Sequence, residues 1–259
     1  MAVHACLPLA NCKILHFVRH AEAESNAAAH RFPKDSQDYL DAYADEKYFD
    51  SVLSVKGEAQ CKELQQRIAS SPCITCEAVV CSPLRRTLQT AVRVFGEEMP
   101  FLAAECAREY SQGHARPCDC RRERHLQEAD FRADFSRVPE GQDTFAARPE
   151  TEEELDKRCI ELLQLLNALP YQCIAIVSHT GFLTRLFAKH LRWPGPSAFS
   201  NAELRSVVVQ WTPTAPSHDA TTGCASLEKP GIVFTRNYGG AVGTPEDGCA
   251  VIRCINSRF

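Results

Sequence analysis

A mainly parallel α/β sheet with helices on both faces is the fold class this sequence predicts. Short apolar runs at 13–18, 78–81 and 174–177 lack the alternation of a half-exposed strand, so each reads as a strand covered on both sides. Helical patterns separate these runs, and strand–helix alternation favours parallel pairing. Each run also stops abruptly at polar residues: Arg19-His20, Ser82-Pro83 and Ser178-His179.

Taken in order, Lys13 to Val18 is the first strand. Residues 27–50 are polar and aromatic and read as a loop with one or two short helical turns. A helix is expected from its N-cap Ser54 to about Ser70, with Val55, Ala59, Leu64 and Ile68 on its apolar side. Ala78 to Cys81 is the second strand, and Leu84 to Phe95 the next helix, closed by Gly96. Phe101 to Ala107 reads as a third strand leading to Arg108-Glu109. Residues 110–150 are irregular and arginine-rich, too long for a structureless connection, and read as a functional cap.

Thr151-Glu152-Glu153-Glu154 is a capping box opening a helix to about Leu169. Ile174 to Val177 is a strand, Gly181 to Leu191 a helix, and Arg205 to Trp211 a further strand. Residues 213–230 read as a loop and Ala250 to Ile255 as an edge strand. The expectation is one domain over 1–259, with its core at about 13–211 and cap insertions at about 27–50 and 110–150.

With 29 basic and 33 acidic residues the formal charge is −4, which gives no general pull toward nucleic acid or a membrane surface. An anion site must then be local. No run reaches the roughly 18 to 20 apolar residues of a membrane span. The start, MAVHACLPLANCKIL, lacks the basic and long apolar regions of a secretory signal, so a cytoplasmic address is expected. The 14 cysteines are expected as buried, reduced thiols, with Cys81 and Cys173 at strands and Cys61 and Cys159 in helices. Cys73-x-x-Cys76 and Cys118-x-Cys120, the latter flanked by His114 and His125, lack a matching second pair, so zinc is disfavoured.

In a parallel sheet the carboxyl ends of the strands share one edge, where ligands bind. Arg19-His20, Arg85-Arg86, Glu109 and His179 would converge there. Guanidinium forks match phosphate oxygens bidentately and imidazolium adds charge and a donor, so the set suits a tetrahedral dianion. Helix starts after Ser82-Pro83 and His179 would add backbone N–H groups. Singly, each feature has a bland explanation as a solvated pair or a helix cap. Four at successive strand ends argue for function.

FVRHAEAESN (17–26), SPLRRTLQTA (82–91), AREY (107–110) and IVSHTGFL (176–183), in that order, resemble the histidine phosphatase superfamily, also called the phosphoglycerate mutase-like family. VLSVKGEAQ (52–60) resembles a further element of that family, and NAELRSVVV (201–209) one of its phosphatase-like eukaryotic branch. The resemblance implies a phosphoglycerate mutase-like fold, with the active site at the carboxyl strand ends under a cap. It implies His20 as nucleophile, with its other ring nitrogen donating to a backbone carbonyl. Arg19, Arg86 and His179 would hold the phosphoryl oxygens, and Asn26 would add a donor. It selects Arg86 over Arg85 as the pocket residue. Glu109 would protonate the leaving group and then activate water, with Glu105 and the acids of 110–150 as competitors.

No cofactor or metal is implied. Ala21 and Thr180 replace glycines of the family signatures. The mutase element Glu-Arg-His-Tyr-Gly is replaced by Ala107-Arg108-Glu109-Tyr110-Ser111, while Glu123-Arg124-His125-Leu126 falls well downstream. Hydrolysis of phosphate monoesters is therefore favoured over phosphoglycerate mutase-type transfer and over non-catalytic binding of phosphorylated partners. The expected substrate is a phosphorylated small molecule or phosphopeptide. Arg116 to His125 reads either as a solvated loop or as a cap that meets an anionic part of the substrate.

Overall fold

The computed structural model describes residues 12–72, 74–111, 116–141, 149–211 and 230–238. Its strands are β1 (Cys12–Arg19), β2 (Ala78–Cys81), β3 (Phe101–Ala104), β4 (Asp134–Arg137), β5 (Cys173–Ser178), β6 (Leu204–Trp211) and β7 (Pro230–Tyr238). Its helices are α1 (Glu24–Ala29), α2 (Gln37–Ala44), α3 (Val55–Ala69), α4 (Arg85–Phe95), α5 (Arg124–Asp130), α6 (Glu152–Ala168) and α7 (Thr180–Arg185), the last running into a π-helical turn, Leu186–His190.

The strands form one sheet in the order β4-β3-β2-β5-β1-β6-β7. Strands β1 to β5 pair in parallel, β6 runs antiparallel to β1, and β7 antiparallel to β6. Successive side chains of a strand face opposite sides, and both sides are covered. Leu15, Phe17, Ile174 and Ile176 pack with Leu155, Leu162 and Leu166 of α6 and Phe182 of α7. Val18, Val79, Ala175 and Val177 pack with Cys61 and Leu64 of α3 and Leu88 of α4. This accounts for the unbroken apolar runs. Lys13 of β1 places its ammonium on the carbonyls of Leu166 and Asn167 at 2.7 and 2.9 Å, where it caps the end of α6.

Register sets the site. Arg19 lies opposite Ser178, and Val177 lies between Val18 and Cys81. The His20 N–H donates to the Ser178 carbonyl at 2.9 Å and the Ser82 N–H to the Val177 carbonyl at 3.0 Å. His20, Ser82 and His179 therefore leave the sheet at one level.

Several elements depart from expectation. The buried side of α3 is Gly57, Cys61 and Leu64, with Ile68 packed beside them; Val55 is 90% exposed and Ala59 is also exposed. The helix turns this way because its N-terminus docks on Glu22. The Ser54 N–H meets the Glu22 carbonyl at 2.9 Å, while Ser54 Oγ and Lys56 Nζ donate to its carboxylate at 2.9 and 2.8 Å. A Cβ on Gly57 would overlap the Glu22 carbonyl oxygen, so only glycine permits the approach.

Strand β3 stops at Ala104, and Glu105 to Ala107 form a 3₁₀ turn instead of continuing it. Residues 110–150, expected to be irregular, contain α5 and the edge strand β4. Strand β7 extends the sheet where no strand was expected, and the expected strand at Ala250 to Ile255 lies outside the described residues. The capping box forms, with Thr151 Oγ1 accepting from the Glu154 N–H at 3.2 Å and the Glu154 carboxylate accepting from the Thr151 N–H at 2.9 Å. Gly96 closes α4 at a φ of 82°.

Among the described residues no helix is long and apolar enough to cross a membrane, and no group of three or more His, Cys, Asp or Glu side chains is placed to hold a metal ion. The half-site residues Cys73 and His114 lie outside the described residues; Cys76 and Cys118 are free thiols.

Gly57→Ala should destabilise the fold by about 1–3 kcal/mol, the usual cost of overpacking, because α3 must lift off Glu22. Urea denaturation checks the loss; a variant as stable as the parent would show that the docking contact yields freely.

Candidate active site

The nucleophile candidate sits where β1 gives out. His20 is buried, and its backbone is held from three elements. Its N–H is bound to β5, and its carbonyl accepts from Asn201 Nδ2 at 3.1 Å. The next residue, Ala21, donates its N–H to Thr90 Oγ1 of α4 at 3.0 Å. Ala21 itself is fully buried and, unlike Asp50 and Ala202, does not have positive φ. Its Cβ therefore fits the core, and the glycine it replaces is not needed here for backbone freedom.

Hydrogen-bond complementarity assigns the ring. His20 Nδ1 lies 2.7 Å from the Ala21 carbonyl, which only accepts, so Nδ1 carries the proton. Nε2 receives the Nε–H of Arg86 at 3.3 Å, so Nε2 carries the lone pair. The same argument makes His179 the opposite tautomer: its Nδ1 accepts from Arg86 Nη2 at 3.2 Å and its Nε2 donates to Ser82 Oγ at 2.8 Å. Both imidazoles are therefore neutral. Burial holds each well below the usual imidazole range, helped first by the charge of Arg86. For His20 this is the neutral ring with a donating second nitrogen that the resemblance implies, whereas for His179 it differs from the imidazolium expected at the strand ends. The charges of Arg86 and Arg19 beside these buried rings disfavour a further positive charge.

Arg86 is the hub. It is 3% exposed, and besides the two histidines its guanidinium binds the Asp119 carboxylate at 2.7 Å and the Cys118 carbonyl. Arg85 points outward to Asp130 at 3.5 Å, whereas Arg86 faces the two histidines. Arg19 donates from Nη1 to the Phe199 carbonyl at 2.8 Å, while its Nε is buried without a partner. An unpaired buried donor costs roughly 1–3 kcal/mol, which an entering anion would recover.

Glu109 comes from the turn after β3. Its Oε1 accepts from the Tyr110 N–H at 2.8 Å and the Phe182 N–H at 3.2 Å, seating it at the start of α7. Gly181 permits this, because a Cβ there would lie 2.7 Å from Glu109 Oε1. Burial, and then the charge of Asp119, push the Glu109 carboxyl above its usual range. Its competitor Glu105 is committed to Arg108 at 2.8 Å and Arg121 at 3.4 Å. Asn26 is less directly placed: it accepts from the Ala23 N–H at 3.1 Å and donates to the Tyr43 hydroxyl at 3.0 Å, bracing α1 against α2.

The helix starts, expected as phosphate donors, are already engaged by the protein's own carboxylates. Asp50 Oδ1 takes the Arg85 N–H at 2.7 Å, as Glu109 takes that of Phe182. Asp50 also accepts from the Arg122 N–H at 3.1 Å, and burial raises its carboxyl to about 6.

The arginines of 116–125 are not simply solvated. Arg121 Nη2 reaches the Pro139 carbonyl at 2.9 Å, Arg122 pairs with Asp130 at 2.7 Å, Arg124 pairs with Glu128 at 2.7 Å, and Arg116 lies over the Tyr43 ring. Sequence reasoning missed four site-shaping residues: Asp50, Ser82, Asp119 and Arg158. Arg158 pairs with Glu150 through two bonds of 2.6 Å and donates to the carbonyls of Cys106, Arg108 and Glu109, fixing the turn that carries Glu109. Ser82 lies in SPLRRTLQTA and Asp119 within Cys118-x-Cys120, but neither motif carries the role found here.

In open α/β sheets ligands bind beyond the carboxyl ends of the strands, and it is there that this chain sets a neutral imidazole against a buried guanidinium. The sequence matches the histidine phosphatase superfamily (branch 1) over residues 15–217, and the chain belongs to that family. It is 33% identical over 242 residues to a phosphoglycerate mutase-like protein of Arabidopsis thaliana, covering 78% of this chain and 86% of that one. Phosphoglycerate mutase-like protein 1 of the same plant is 32% identical over 242 residues, covering 78% and 83%. Among solved structures, Bacillus stearothermophilus YhfR has the same fold, with a TM-score of 0.50 at 20% identity, covering 77% of this chain and 92% of that one.

The tautomers are directly testable. Nitrogen-15 spectra of the imidazoles should show His20 protonated on Nδ1 and His179 on Nε2, both still neutral at pH 6, below the ordinary value of 6.5. Because the folded values are depressed, the stability tied to these rings is complete above that value and is lost as pH falls. A positively charged His20 at pH 6 would contradict the assignment.

Proposed function

We propose that this protein is a metal-independent phosphatase that hydrolyses phosphate monoesters through a phosphohistidine at His20. The observation that carries the reading is the Nε2 lone pair of a neutral, buried His20 set against the Arg86 guanidinium. As a phosphoryl group enters, Arg86 Nε exchanges its bond to the ring for a phosphate oxygen, which frees the lone pair for in-line attack. Arg86 and Arg19, whose Nε is unpaired, supply the fixed positive charge. His179 holds Arg86 in place and lies with its ring centre 5.0 Å from that of His20, within reach of the same oxygens. Asn26 supports the rim.

Glu109 protonates the leaving oxygen, and its raised pKa keeps the acid form present at higher pH. Once ionised it takes a proton from the water that attacks the phosphoenzyme, returning His20 to neutrality. The positive charge at the reacting centre comes from arginine side chains, so the scheme calls on no metal. Phosphorylated small molecules and phosphopeptides are the substrate classes, and the cytoplasm, where 14 cysteines stay reduced, is the expected compartment.

The names of the curated relatives support a second reading, phosphoglycerate mutase-type transfer. A coupled assay distinguishes the two: interconversion of 3- and 2-phosphoglycerate faster than phosphate release would replace hydrolysis with transfer.

Phosphate release from a panel of sugar phosphates, nucleotides and phosphopeptides should be insensitive to EDTA and abolished in His20→Ala. Glu109→Gln should lower kcat by roughly 10²–10⁴-fold on alkyl phosphates and far less on p-nitrophenyl phosphate, whose leaving group needs no proton. Unchanged turnover in His20→Ala would sink the mechanism.

A further inference from the structure

A carboxylate stands in the proposed phosphate pocket. Asp119 Oδ1 accepts from Arg86 Nη2 at 2.7 Å, and the Cys118 carbonyl accepts from Arg86 Nη1. These are the paired donors of the fork with which a guanidinium grips a phosphate. The other edge of Arg86 faces the two histidines, so Asp119 occupies the outward fork. The Asp119 side chain is 17% exposed against 4% for Arg86, so solvent reaches the carboxylate but hardly the guanidinium.

The turn Pro117–Asp119 has anchors that do not use this carboxylate. Arg108 Nη2 donates to the Asp119 carbonyl at 2.6 Å, the Asp50 N–H donates to the Pro117 carbonyl at 3.2 Å, and the Asp119 and Cys120 N–H groups close the turn on Arg116 and Pro117. The main chain is thus held independently of the side chain, whose Oδ1 accepts from Arg86 Nη2 and, at 3.7 Å, from the Cys118 thiol. A carboxylate in this position carries one negative charge, against the two of a monoester phosphate, and is the weaker ligand for the same fork.

We propose that Asp119 is an affinity-setting residue: its carboxylate competes with the phosphate group for Arg86, weakening the grip on substrate and easing release of inorganic phosphate. The inference rests on the reading of the pocket as a phosphoryl site. On phosphate entry the Arg86 Nη2 hydrogen bond passes from the carboxylate to a phosphate oxygen, beside the Nε bond given up by His20, and the carboxylate turns into solvent. No bond is made or broken covalently.

Asp119→Asn removes the charge and keeps an oxygen for Arg86; Asp119→Ala removes both. Titration calorimetry of full-length protein with inorganic phosphate should show binding roughly tenfold tighter in Asp119→Asn, equivalent to about 1.4 kcal/mol. KM for a hydrolysed monoester should fall in step, and product inhibition by phosphate should deepen. Unchanged or weaker phosphate binding in both variants would overturn the proposal, making Asp119 a residue that positions Arg86. Unfolding of both variants under conditions where the parent is folded would also overturn it. A parent protein that binds phosphate yet hydrolyses no ester would end the phosphatase reading and leave this one standing.

Discussion

The hydrogen bond from His20 Nδ1 to the carbonyl of its own neighbour, Ala21, is the constraint on which the rest of the site depends. It spends the ring proton on the backbone and so leaves the lone pair on Nε2, facing Arg86. That bond exists only while the strand end is rigid. Ser178, Asn201 and Thr90 hold the two residues from β5, the loop before β6, and α4. Beyond them, Glu22 locks the segment to the start of α3. The parallel sheet is therefore more than a platform, because its register decides which ring nitrogen keeps the lone pair.

Electrostatics explains why the pocket is so heavily braced. Arg86 is buried, and a buried charge persists only when paired and hydrogen-bonded. Asp119, Cys118 and two neutral histidines supply that environment. Arg158 does the same for the turn bearing Glu109, with Glu150 as its counter-ion. The arginine-rich stretch largely serves this internal architecture: Arg116, Arg121, Arg122 and Arg124 each hold a carbonyl, a carboxylate or a ring of the protein.

What could be read from the sequence was what depends on local pattern. Buried parallel strands announce themselves as apolar runs, and the topology then brings their polar ends together; thus Arg19, His20, Arg86 and His179 were legible, and Arg86 could be told from Arg85. Strand β4 was not, because only Phe135 of its four residues is buried and no alternation emerges. The face of α3 was misjudged because its orientation is set by a backbone contact at Gly57, which no hydrophobic period records. His179 was expected charged, and its neutrality follows from Arg86 and Ser82, far away in sequence. Asp50 and Asp119 look like ordinary loop acids until folding sets one on a helix start and the other on an arginine.

The central claim is that His20 Nε2 is the atom that accepts phosphorus. Rapid-quench trapping with a ³²P-labelled monoester, followed by mapping of the acid-labile, base-stable label, tests it most directly. The account predicts a phosphohistidine at residue 20 carrying phosphorus on Nε2. Turnover with no trappable phosphoenzyme, or a label on Nδ1 or on another residue, would contradict it.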